Sequence, residues 1–180
     1  MHDPRIKFGH GLGMAVSPTG ADHMHNVHDN GFTTAGGIED LKSFGILEPL
    51  PKDDLSAAKV RMVRYGLLWR VLDNLTGMCM FHAWKPQQKA TLIAAVTGWN
   101  TTVLELFEAA ERAYDMARAF NALHGLTPDD DKLPVRLMTP VPEGPAAGIA
   151  PSPEAMRAAI DMFYALICWD PTTRAPTRAK

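Results

Sequence analysis

The stretch Lys59-Val60-Arg61-Met62-Val63-Arg64-Tyr65-Gly66-Leu67-Leu68-Trp69-Arg70-Val71-Leu72-Asp73-Asn74-Leu75-Thr76-Gly77-Met78-Cys79 decides the fold. Val60, Met62, Val63, Leu67, Leu68, Val71, Leu72 and Leu75 recur at spacings of three and four, which places them on one face of an α-helix. Lys59, Arg61, Arg64 and Arg70 are among the polar residues between them. The expected helix runs from about Asp54 to Thr76. Asp53 or Asp54 is its expected cap, and Gly77 is placed to end it in the left-handed conformation.

Downstream, a shorter helix is expected over Gln87–Val96. Another begins at Thr101 or Thr102, where Thr102 and Glu105 have capping-box spacing. It carries Leu104, Phe107, Ala110, Ala113, Tyr114 and Ala117 on one stripe and stops near Gly125. Residues 127–151 are acidic and then rich in proline and glycine, and read as a long loop. The last helix starts with Ser152 as cap and Pro153 at the first helical position. Upstream, residues 1–20 carry Gly9, Gly11, Gly13 and Gly20 and read as an irregular loop. Residues 22–29 read as one or two helical turns, and 30–52 again as loop. No stretch alternates as a strand does. The expectation is a mainly α, irregular helical domain with long ordered loops, spanning 1–180 as a single domain.

The bulk numbers restrict the function classes. The chain has 180 residues, 46% of them hydrophobic, and a formal charge of −2, so nothing points to nucleic acid. Arg174, Arg178 and Lys180 form a mild basic cluster that reads as a solvated tail. No apolar run reaches the roughly 20 residues of a membrane span, and the first residues lack a secretory signal. The two cysteines, Cys79 and Cys168, are too few for a disulfide framework, so the reducing cytoplasm is the expected location.

Cys79 lies beyond a helix C-terminus, whose negative dipole end does not favour a thiolate. It reads either as a small buried hydrophobe or as a thiol that a metal deprotonates. His23, His25 and His28 form a His-x-His-x-x-His cluster, an alternative zinc site with Asp22 or Asp29 as a further ligand, or a solvent-facing polar turn. His2, His10, His82 and His124 receive no role. Asp129-Asp130-Asp131 reads as a solvated loop.

The order of several phrases resembles the C-terminal part of the tungsten-containing aldehyde:ferredoxin oxidoreductase family. They are His2-Asp3-Pro4-Arg5, Gly11 to His23, Leu75-Thr76-Gly77-Met78-Cys79-Met80-Phe81, Thr97-Gly98-Trp99-Asn100, Glu111-Arg112, Phe120-Asn121, Asp130 to Arg136, Phe163-Tyr164 and Trp169-Asp170. The resemblance implies a tungsten or molybdenum bis-pterin centre beside a 4Fe-4S cluster. It implies Cys79 as a cluster ligand, Asn74, Gly77 and Met78 as pterin and cluster contacts, and His23 near the metal as a proton relay or hydrogen-bond donor to the substrate oxygen. The implied reaction is oxidation of a small aldehyde to a carboxylic acid, with ferredoxin or another redox partner as electron acceptor. A four-iron cluster takes about four thiolates, so the other ligands and the first pterin contacts are expected upstream, in missing N-terminal domains or a subunit. This chain alone is then expected to be inactive. Two departures from the family pattern stand out: Asn74 replaces the usual aspartate, with Asp73 one place earlier, and Cys168 stands where glycine is usual. The alternative readings are a non-catalytic helical binding module that keeps only the fold, and a small histidine-based metal-binding protein.

Overall fold

The computed structural model describes residues 2–170 and 172–177. Among them are five α-helices: α1 (Phe8–Val16), α2 (Ala57–Thr76), α3 (Pro86–Thr97), α4 (Val103–Leu123) and α5 (Pro153–Leu166). The pairing of Val141 with Ala147 is an isolated bridge, and no strand occurs among the described residues. The protein is mainly α, as the periodicity predicts.

Helix α2 is the central element. Val60, Met62, Val63, Leu67, Leu68 and Leu72 are buried in one apolar cluster with Leu12 of α1, Phe107 and Ala110 of α4, and Met156, Ile160 and Phe163 of α5. Its cap is Ser56, two or three residues beyond the expected Asp54 or Asp53. Ser56 Oγ accepts from the Lys59 N–H at 3.3 Å, and the Asp54 carboxylate holds Ser56 instead (2.8 and 2.6 Å). Gly77 closes α2 with φ +66°, a left-handed conformation that costs a side chain more than it costs glycine. Helix α4 opens on the Thr102–Glu105 capping box, and α5 on Ser152 with Pro153 in its first turn.

The glycine-rich N-terminal stretch is a helix, not the expected loop. Its three helical glycines lower helix propensity, and the surroundings override that penalty. The Asp29 carboxylate accepts from the N–H groups of Gly9 (3.2 Å) and His10 (2.8 Å) at the start of α1, where an anion is stabilised by the free amides and the dipole. Lys59 Nζ completes the pair at 2.5 Å, with both side chains fully buried. A Cβ on Gly9 would sit 2.6 Å from Asp29 Oδ1, and one on Gly13 would sit 2.0 Å from Asn26 Oδ1. These glycines therefore serve close approach rather than flexibility. Residues 22–28 form turns and bends without the expected helical turns. The 30–52 stretch contains 3-10 turns at Asp29–Phe32 and Gly36–Phe44.

Two further expectations change. Asp131 is buried, not solvated. Its carboxylate receives both Nη atoms of Arg118 (2.8 and 2.6 Å) and the Tyr164 hydroxyl (3.0 Å). Arg174 is buried too. It lies 3.6 Å from Asp131 and 2.5 Å from Asp161, and so anchors the C-terminal segment rather than belonging to a solvated tail. Arg178 and Lys180 lie outside the described residues.

Cys168 has φ +55° and lies just beyond Ile167, the residue that caps the C-terminal end of α5. The left-handed backbone gives a physical reason why glycine suits this position: without Cβ it enters that region without steric cost.

Candidate cofactor-facing site

The end of α2 and the segment after it form an open surface. Asn74, Leu75, Thr76, Gly77, Cys79 and Phe81 are exposed, and Phe81 is 80% accessible. Met78 is half-buried against the core, and its N–H donates to the Asp73 carbonyl at 3.0 Å. Cys79 is a free, exposed thiol, which corrects the reading of it as a buried hydrophobe.

Asp73 does not stand in for the aspartate that Asn74 replaces. It is buried, pairs with Lys89 of α3, and lies 3.4 Å from Arg70. The Lys89 ammonium also sits 3.6 Å from the centre of the Trp69 ring. Asp73 therefore ties α3 to α2, while Asn74 faces outward. The Asn74 amide nitrogen lies 2.7 Å from His25 Nε2, which brings the histidine loop against the end of α2. Sequence reading attached that loop to the site through His23; the contact given by the structure is through His25.

His23 is exposed and enters a cluster of imidazoles that sequence spacing did not show. His2 stacks on His23 with 4.8 Å between ring centres, and His10 stacks on His28 at 4.7 Å. His2 and His28 are 4.3 Å apart, and His23 and His28 6.3 Å. His10 is fully buried, with Nδ1 2.6 Å from the Val27 carbonyl, so Nδ1 carries the proton there. His10 Nε2 and His28 Nδ1 are buried without hydrogen-bond partners. His2 and His10 were assigned no role from sequence. Only the fold brings them to the loop, and no local pattern signals it.

Burial, then the neighbouring His10, His2, Lys7 and His23, push the His28 pKa down from 6.5 to about 4. Burial also lowers His10 and His2. Above pH ~6.5 these rings are neutral in the folded and unfolded chain alike, and nothing is lost. As pH falls from 6.5 toward 4, the unfolded chain binds protons that the folded chain refuses, so stability falls. Urea midpoints measured at pH 7.0, 6.0 and 5.0 should decline, and His28→Gln should flatten that decline. An unchanged slope in the variant would place the effect elsewhere.

Among the described residues, no group of three or more His, Cys, Asp or Glu is disposed to hold a metal ion. The zinc reading of His23, His25 and His28 is therefore not carried by the geometry: His25 turns to Asn74 while His28 packs on His10. The same test bears on an iron–sulfur cluster. Cys79 fits a single contributed ligand, and even with the second exposed thiol, Cys168, the chain does not make a self-contained cluster site, which takes about four thiolates.

These features define a helical scaffold with an exposed Cys79 thiol just past the end of α2 and a histidine loop that meets the same helix through Asn74. The chain matches the family model described as "Aldehyde ferredoxin oxidoreductase, domains 2 & 3" over residues 1–180, and it belongs to that family. It is similar to the tungsten-containing aldehyde ferredoxin oxidoreductase of Pyrococcus furiosus, 28% identical, over 97% of this chain and 27% of that protein. The corresponding protein of Thermococcus kodakarensis is 27% identical over the same shares. The chain thus spans about a quarter of the length of these relatives. No helix among the described residues is long and apolar enough to cross a membrane.

Proposed function

We propose that this chain supplies the Cys79-bearing cofactor face of an oxidoreductase that converts aldehydes to carboxylic acids, with a tungsten or molybdenum bis-pterin and a 4Fe-4S cluster shared with further protein. The observation that carries this reading is the pairing of an exposed Cys79, just past the Gly77 cap, with the Asn74–His25 contact that draws the histidine loop to the same helix end. Cys79 contributes one thiolate to the cluster. Asn74, Gly77 and Met78 approach the pterin, Asn74 with a neutral amide rather than a carboxylate. The pterin-bound metal supplies the two-electron chemistry when bound.

His23, exposed within the imidazole cluster, handles a proton at the substrate oxygen, a task suited to a side chain that can both donate and accept one. The cluster, held in part by Cys79, would supply the route for electrons to ferredoxin or an equivalent partner, and the protein works in the cytoplasm.

Exposed apolar residues support a further protein surface. Val96, Trp99 and Leu123 are 78, 67 and 85% accessible, and Leu104 and Phe120 are exposed on the same helix as Leu123. Large apolar side chains left open in this way suit contact with further protein.

The test is the tungsten, molybdenum and iron content of the natively expressed protein, purified without oxygen. Tungsten or molybdenum together with iron supports the reading. Protein free of all three leaves the binding-module alternative standing.

A further inference from the structure

A cavity of about 360 Å³ opens between α2, the Gly36–Phe44 turn and the segment leading into α3. Its walls include Phe32, Phe44, Tyr65, Trp69, Trp84 and Phe107. The rings meet at angles. Phe44 lies 4.2 Å from Tyr65 and 5.0 Å from Phe107, and Trp69 stacks on Phe107 at 5.8 Å. Two wall glycines bring the backbone in close. A Cβ on Gly66 would lie 1.8 Å from Val27, and one on Gly37 would lie 1.9 Å from the Gly31 carbonyl oxygen.

We propose that this cavity binds the ring of an uncharged aromatic molecule, an aryl aldehyde being the substrate class it selects. The assignment as substrate rests on the function proposed above; the binding itself does not. Three observations carry it. Aromatic faces and edges converge on the cavity, and they favour a planar ring over a saturated one of equal size. The ionic groups at its wall already have partners: Asp40 pairs with Lys85 at 3.3 Å, and Arg70 lies 3.4 Å from Asp73, which it shares with Lys89. Neither Asp40 nor Arg70 depends on a charged ligand for a partner. His28 also lines the cavity and packs against the cluster that holds His23, so a bound ring lies next to the histidine loop. Small-molecule sites are commonly concave and mostly apolar, with a few polar groups to orient the ligand.

The probes are benzyl alcohol and cyclohexylmethanol, which cannot form imines with lysine. They are titrated against the protein while the fluorescence of Trp69 and Trp84 is followed. Benzyl alcohol should bind about threefold to tenfold more tightly, as expected for one or two aromatic pairs. Trp84→Ala, at the exposed mouth, and Phe44→Leu should each weaken it at least threefold. A circular dichroism spectrum matching wild type shows that either variant is folded. Equal binding of the two alcohols, no binding of either, or binding untouched by both variants overturns the proposal. Metal-free protein that still prefers benzyl alcohol keeps the pocket and removes its assignment as a substrate site. Metal-loaded protein without the preference removes the pocket alone.

Discussion

Asp29→Ala is expected to destabilise the protein by about 3–5 kcal/mol, the range for removing one partner of a buried ion pair. Three donors lose their acceptor at once: the N–H groups of Gly9 and His10 and the Lys59 ammonium. Lys59 keeps the Pro51 carbonyl at 2.7 Å, which does not neutralise a fully buried charge. Helix α1 loses the anion at its N-terminus, and with it the element that buries His10 beneath the imidazole cluster. For a chain of this size each kcal/mol is roughly 2–4 °C in melting temperature, so a fall of about 6–20 °C is expected in a thermal scan. The double variant Asp29→Ala, Lys59→Met removes the stranded charge and should recover part of the loss, leaving the cost of the uncapped helix. A single-variant loss under ~1 kcal/mol would mean that the pair does not hold α1 in place.

Asp131→Ala should cost a similar amount by the same mechanism. Its two oxygens hold Arg118 in a fork, a geometry that adds direction to charge, and one of them also accepts from Tyr164. Without it, Arg118 stays desolvated and keeps, among the described residues, the Arg174 carbonyl at 3.4 Å and the Tyr164 ring at 5.6 Å, neither of which carries a charge. Arg174 retains Asp161 but loses its second neighbour. Hydrogen exchange should therefore speed up at residues 172–177 as well as lowering the denaturant midpoint. Asp130 is the contrast. It is exposed and accepts from the Thr127 N–H and hydroxyl at 2.8 and 2.9 Å, so Asp130→Ala should cost no more than about 1 kcal/mol. Equal losses in the two variants would contradict the burial of Asp131 and its fork.

The contrast between adjacent aspartates shows what a chain reveals before it is folded. Helices α2, α4 and α5 were legible because their signals are local: Gly77, the Thr102–Glu105 box, Ser152 with Pro153. Helix α1 was not, because Gly9, Gly11 and Gly13 argue for a loop until Asp29 and Asn26 are seen packed against them. The burial of Lys59, Asp131 and Arg174 was equally hidden, since each is neutralised by a residue 13 or more positions away.

The site divides in the same way. The Gly77 cap and the place of Cys79 beyond it follow from one helix end. The Asn74–His25 contact and the gathering of His2, His10, His23 and His28 depend on which segments the fold brings together, and no spacing encodes that.

The metal content of wild-type protein and of Cys79→Ser, both natively expressed and purified without oxygen, tests the cofactor face most directly. Wild type should carry tungsten or molybdenum and about four irons per centre, and Cys79→Ser should lose most of the iron while its circular dichroism spectrum stays unchanged. Wild type without tungsten, molybdenum or iron, or a Cys79→Ser variant that keeps its iron in full, would contradict the account.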